Sequence, residues 1–333
     1  MSVYYDNLVL TEHPESYTFQ IACPVGTCEE RRWTLTPTPE QVGAHPFALE
    51  VKAADGTSLA KASTALHITR ADAGAGQKLK LLIVGDSLTA NSMYAAEIAR
   101  LMAEPGNPEL VLLGTNRPGG ATNPVGHEGY GGWTWDRFAR HYEPNPDRAA
   151  RKFSSPFVFL GADGQPKLDV ERYFAETLGG QRPDIVTFLL GINDNFSAPP
   201  DNQAAMDQRS DAMFAAADTL LAAFRAALPQ ADLVVGLTTP PNSRESGFEA
   251  NYKGAYHRWG WKRIQHRLVE RVLERFRDRE AERLFLVPTE LNLDPVDGYP
   301  VDNGVHPNKS GYQQIGQSFY AWLKYRLQTR SQP

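Results

Sequence analysis

The sequence predicts an α/β protein in which helices flank a parallel sheet, preceded by a small all-β region of sandwich type. Two observations carry this. Beyond residue 78, short apolar runs of strand type alternate with longer segments whose apolar residues fall at helical spacing. Such alternation builds a parallel sheet with helices on both faces. Before residue 72 no amphipathic helix is visible, only short β-rich runs separated by turn residues.

In chain order, "YTFQIAC", "RRWTLTP", "FALEVKA" and "TALHITR" are the strand candidates of the first region, and "ADGT" is a hairpin-type turn. This region is expected to span residues 1–72. The small and polar residues of "RADAGAGQK" mark a linker placed at 73–80. The α/β domain then runs over 81–328, with a tail at 329–333. Its strands are "LKLLIVG", "ELVLLGT", "DIVTFLLGIND", "ADLVVGLTT" and "RLFLVPT". Helices are expected in "SMYAAEIARLMA", "DAMFAAADTLLAAFRAALP", "WGWKRIQHRLVERVLERF" and "SGYQQIGQSFYAWLKYRL". Residues 116–180 are irregular and rich in Gly, Pro and aromatics, a length that points to a functional or a disordered loop.

The 333 residues suit two domains of ordinary size. Lys plus Arg number 34 against 39 Asp plus Glu, a net charge of −5. That mild acidity argues against nucleic acid or an anionic membrane as the main partner. No apolar stretch reaches the ~20 residues of a spanning helix. The chain opens MSVYYDNLVL without a basic region and apolar core, which reads as cytoplasmic unless an export leader has been removed. Cys23 and Cys28, separated by "PVGT", fit either two free thiols or a disulfide across a turn. A zinc site would need further ligands, so no metal or other cofactor is expected.

Ligands of open parallel sheets bind beyond the carboxyl ends of the strands. Four polar clusters lie there: Gly85-Asp86-Ser87, "GHEGYGGWTW" at 126–135, Gly191-Ile192-Asn193-Asp194, and "DGYPVDNGVHPNKSGY" before the last helix. Together they hold the parts of a serine acyl-transfer site. Ser87 is the candidate nucleophile and His306 its base. The Ser87 and Gly132 backbone N–H groups and the Asn193 amide are candidate oxyanion donors. Each cluster also has a plainer reading: Ser87 as a helix cap, His306 as a loop histidine, Asn193 and Gly132 as turn residues. The arginine-rich helix around 257–280 carries an apolar stripe of Ile264, Leu268, Val272 and Phe276, so its charge reads as a solvated face.

The four clusters, in this order, resemble the blocks of the SGNH/GDSL hydrolase superfamily. "GDSLT" matches the first, "GYGGWT" the second, "GIND" the third and "NGVHPN" the last, over roughly residues 78–328. The resemblance implies a flavodoxin-like three-layer α/β/α domain and a serine esterase acting without a cofactor. It leaves the β-region unexplained. The family usually has Asp three residues before the histidine, where this chain has Asn303. Asp302 is the expected acid, with Asn303, Asp297 or a backbone carbonyl as alternatives. "HEGYGGWT" is similar to the second block of members that deacetylate carbohydrates. A short-chain, O-acetyl ester of an oligosaccharide or polysaccharide is therefore the expected substrate. Trp133 and Trp135, beside Gly132, are the candidates for stacking on a sugar, or else core residues. The competing functions are a lipase or thioesterase for longer chains, an acyltransferase, and a non-catalytic carbohydrate-binding protein.

Overall fold

The computed structural model describes residues 1–147 and 149–330. The first region holds β1 (Ser2–Tyr4), β2 (Thr18–Ala22), β3 (Thr27–Cys28), β4 (Arg32–Thr34), β5 (Gly43–Lys52) and β6 (Ser58–Ile68). They form two small antiparallel sheets, ordered β1-β4-β3 and β2-β5-β6. One apolar cluster joins them: Val3, Tyr5, Trp33 and Ile68 are buried, with Phe19 and Phe47 packed alongside. Both cysteines are free thiols.

This region is tied to the second one by specific bonds. The Tyr4 N–H donates to the Leu291 carbonyl (3.0 Å). The Ser2 N–H reaches Asn292 Oδ1 (2.6 Å), and Asn7 Nδ2 spans the Glu290 and Leu293 carbonyls (2.7 and 2.8 Å). Asp6 pairs with Lys262, and Arg31 with Asp294 at 2.6 Å.

The second region is built on a parallel sheet of β7 (Lys78–Gly85), β8 (Glu109–Leu113), β9 (Glu128–Gly129), β12 (Ile185–Leu189), β13 (Asp232–Gly236) and β14 (Leu284–Val287). A hairpin of β10 (Val158–Leu160) and β11 (Pro166–Leu168) lies in the long connection. The order is β14-β13-β12-β7-β8, and β9 takes over beside β7 at Val84 and Gly85, past the last β8 pairing at Leu82. β7 begins at Lys78, so the last three residues of the expected linker are its first residues.

The helices are α1 (Ser87–Ala90), α2 (Met93–Met102), α3 (Trp135–Arg140), α4 (Val170–Arg172), α5 (Ile192–Asn195), α6 (Gln203–Ala227), α7 (Glu245–Tyr252), α8 (Arg258–Phe276) and α9 (Lys309–Arg330). Side chains alternate across a strand, and the sheet uses both faces. Leu82, Val84, Val186, Phe188, Leu233 and Val235 pack with residues of α3, α6 and the latter part of α8. Leu81, Ile83, Ile185, Leu189 and Val234 face the other way, toward α2 and α9. This is why the strands read as continuous apolar runs. The expected three-layer arrangement is present. α9 runs through the first two residues of the expected tail, and residues 331–333 lie outside the described residues.

The arginines of α8 do not simply face water. Arg263, Arg267, Arg271 and Arg275 pair with Asp201, Asp207, Asp211 and Asp218 of α6 and its approach. The two helices are laced by a ladder of four rungs.

Candidate active site

The first cluster is shaped by close packing. A Cβ at Gly85 would strike the Thr89 side chain and come within 2.9 Å of the Leu189 carbonyl, so the strand can end this way only with glycine. Asp86 Oδ1 accepts the Leu88 N–H (2.9 Å) and caps α1. Capping is therefore done by Asp86, and Ser87 is the first residue inside the helix. Its hydroxyl is free for another partner. That partner is His306, whose Nε2 lies 2.8 Å from Ser87 Oγ although 219 residues separate them. Both side chains are half-buried. Burial lowers the His306 pKa from its ordinary value, favouring the neutral imidazole that a base requires.

Gly132 has φ +77, a left-handed conformation natural for glycine, while a Cβ there would meet open space. The glycine is thus demanded by backbone conformation rather than by close approach. Among the described residues, neither the Ser87 nor the Gly132 N–H is spent on a protein acceptor. Asn193 Nδ2 donates to the Trp133 carbonyl (3.0 Å) and lies 3.5 Å from Asp86 Oδ2. This contact ties the third cluster to the second. Asp194 strengthens the tie by accepting the Trp135 N–H (3.2 Å). Burial pushes the carboxyls of Asp86 and Asp194 each up to about 7.

Two expectations need correction. Asp302 is exposed and, among the described residues, has no hydrogen bond or ion pair with His306. The Asn303 side chain is turned to backbone instead, accepting the N–H groups of Val305 (3.0 Å) and His306 (2.8 Å). Asp297 faces Arg31 and Arg244. None of the three side chains orients the imidazole. Trp133 and Trp135 are each 2% exposed, leaving no ring face for a sugar. Trp133 stacks on Phe153 and Trp135 on Phe188, because the segment after Gly132 turns inward to start α3.

Residues that the sequence did not single out support the second cluster from beneath. Glu128 is fully buried and accepts from the Thr115 N–H (2.7 Å), Thr115 Oγ1 (3.0 Å), Tyr130 OH (2.5 Å) and Tyr173 OH (2.6 Å). Burial raises its pKa against the pull of these donors. His127 is equally buried and bonds Ser92 Oγ at 2.6 Å. Both belong to the "HEG" that opens the second block; the tripeptide is visible in sequence, its bonding partners are not.

A half-buried serine against a neutral imidazole, with backbone donors free beside it, is an arrangement suited to acyl transfer. A family model described as GDSL-like lipase/acylhydrolase matches residues 83–314. The chain belongs to that family and is a carboxylic ester hydrolase. No curated protein sequence matches it. Among solved structures it is similar to a family 3 carbohydrate esterase of Clostridium thermocellum, at 18% identity and TM-score 0.48 over 77% of this chain and 100% of that one. A family 3 carbohydrate esterase from Talaromyces cellulolyticus gives 20% and 0.46 over 75% and 99%. A family two carbohydrate esterase from Clostridium thermocellum, in complex with cellohexaose, gives 15% and 0.40 over 93% and 86%.

Proposed function

We propose that the protein removes short acyl groups, O-acetyl above all, from carbohydrate esters through an acyl-enzyme on Ser87. His306 Nε2 takes the hydroxyl proton as Ser87 Oγ attacks the ester carbonyl. The negative charge on the carbonyl oxygen is received by the Ser87 and Gly132 N–H groups. It is also received by the second Asn193 N–H, which must leave its long, 3.5 Å contact with Asp86 Oδ2 to do so. The intermediate collapses as His306 returns the proton to the departing sugar oxygen. Water then attacks the acyl carbonyl and gives a proton to His306, which passes it to Ser87 Oγ as the C–Oγ bond breaks and the acid leaves.

The 2.8 Å contact between Ser87 Oγ and His306 Nε2 carries this reading. The carbohydrate and acetyl assignments rest on the likeness of "HEGYGGWT" to the second block of carbohydrate-deacetylating members. In this reading Ser87 and His306 work as a pair, without a carboxylate on the ring.

The test is hydrolysis of p-nitrophenyl esters of increasing chain length by wild type and Ser87→Ala, with acetate release from acetylated oligosaccharides measured in parallel. Acetate preferred over octanoate, and a Ser87→Ala variant at least about a thousandfold slower, are expected. Full activity of Ser87→Ala would remove the nucleophile from the reading. A preference for long chains would replace the acetylesterase by a lipase.

A further inference from the structure

Ser92 and His127 make a second serine–histidine contact, at 2.6 Å, with both residues buried. Its chemistry differs from that of the Ser87–His306 pair. The Gly129 backbone N–H points at His127 Nδ1 (3.1 Å). An amide N–H can only donate, so Nδ1 is the bare nitrogen and Nε2 carries the hydrogen. Nε2 therefore donates to Ser92 Oγ and has no lone pair with which to take its proton. Ser92 is not a second nucleophile.

We propose that His127 is a positioning residue, a neutral clamp that fixes the turn after Ser87 against the strand leading to Gly132. The inference rests on the esterase reading and adds to it the element that holds the oxyanion donors in register. Ser92 lies five residues after Ser87 and closes the turn between α1 and α2 in a left-handed conformation (φ 64). Gly129 ends β9, three residues before Gly132. One ring thus touches both segments that supply backbone donors. Surrounding bonds make the ring's seat rigid. His127 and Asn116 exchange backbone hydrogen bonds, and Asn116 Nδ2 donates to the Gly129 carbonyl (2.6 Å). The Tyr130 N–H donates to the Gly85 carbonyl (3.0 Å). Burial, with the charge of Arg117, also pushes the His127 pKa down to about 4, which keeps the ring neutral.

If the ring goes, the Ser87 and Gly132 N–H groups lose a common anchor. Donors that drift relative to each other matter most when charge builds on the carbonyl oxygen, so kcat suffers more than KM. His127→Leu can make neither bond. His127→Gln offers an amide oxygen to Gly129 and an amide N–H to Ser92. Steady-state kinetics on p-nitrophenyl acetate should show kcat of His127→Leu lower by about tenfold or more, with KM changed less than about threefold. His127→Gln should recover much of that loss. Should His127→Leu fail to fold, Ser92→Ala, which removes one bond and keeps the ring, should lower kcat in the same sense.

Hydrogen exchange supplies a readout independent of turnover. Amides of residues 87–93 and 127–133 should exchange faster together in His127→Leu. Unaltered exchange and unaltered kcat in a folded variant overturn the clamp, as does a glutamine variant no better than leucine. A wild type without esterase activity but with this coupled exchange would overturn the esterase reading and leave the clamp standing.

Discussion

The side-chain oxygen of Asn303 accepts the backbone N–H of His306 at 2.8 Å. The residue at the position where the family usually has an acid therefore shapes the loop that presents the imidazole, its side-chain oxygen accepting backbone N–H groups. Asp302, its neighbour, is exposed. Asp302→Ala is expected to keep most of the wild-type kcat/KM, within about threefold, because removing an exposed acid that makes no bond to the ring leaves the Ser87–His306 contact intact. Asn303→Ala should cost more, since two backbone N–H groups lose their acceptor. Initial rates on p-nitrophenyl acetate rank the two variants, and a larger loss in Asp302→Ala would reverse this assignment.

The pH dependence of activity follows from His306. Only the neutral ring can accept the Ser87 proton, and burial lowers its pKa from 6.5. The rate should fall as pH drops through that lowered value and stay level above it. A pH profile of kcat/KM whose acid limb has its midpoint below 6.5 is expected; a midpoint above 7 would contradict the direction of the shift.

Glu290 gives stability its own pH dependence. Its carboxyl is buried, Oε2 has no hydrogen-bond partner among the described residues, and burial pushes its pKa up to about 8. A raised carboxyl pKa means that the fold prefers the neutral acid. The associated stability is fully present below the unfolded value of 4.5 and is lost as pH rises through about 8. Thermal unfolding between about pH 5 and about pH 8 should show wild type losing stability, with a shallower decline in Glu290→Gln. Parallel curves for the two proteins would mean that Glu290 does not titrate in this way.

Trp133 offers a test of burial against binding. Enclosed by Tyr130, Phe138 and Phe153, it should act through the fold. Trp133→Ala is expected to destabilise by about 3–5 kcal/mol. Denaturant unfolding measures this; normal stability with a raised KM for a sugar ester would instead favour a stacking role.

The β-region is expected to matter to the stability of the catalytic half. Asn7→Ala removes both bonds to the carbonyls of Glu290 and Leu293 and should cost about 1–3 kcal/mol. A midpoint of chemical unfolding unchanged from wild type would show that the seam contributes little.

Much of this protein was legible in the order of its residues. The apolar runs ending in "GDS" and "GIND" placed Ser87 and Asn193 at one edge of a parallel sheet, since period and turn chemistry are local properties. The short β-rich runs before residue 72 were legible for the same reason, whereas the left-handed conformation of Gly132 (φ +77) was not. What distant segments do to one another was decided only by the tertiary structure. A tryptophan beside Gly132 reads alike whether it faces solvent or core, and burial settled Trp133 and Trp135 for the core. "VDNGVH" offered two side chains to the imidazole, and the folded loop turned Asn303 to backbone and left Asp302 in water. The arginines of α8 met the aspartates of α6 only once the two helices packed. Local sequence dictates the conformation of a short stretch. The partners of a side chain, and hence its charge and its role, depend on which other stretches folding brings within a few ångströms.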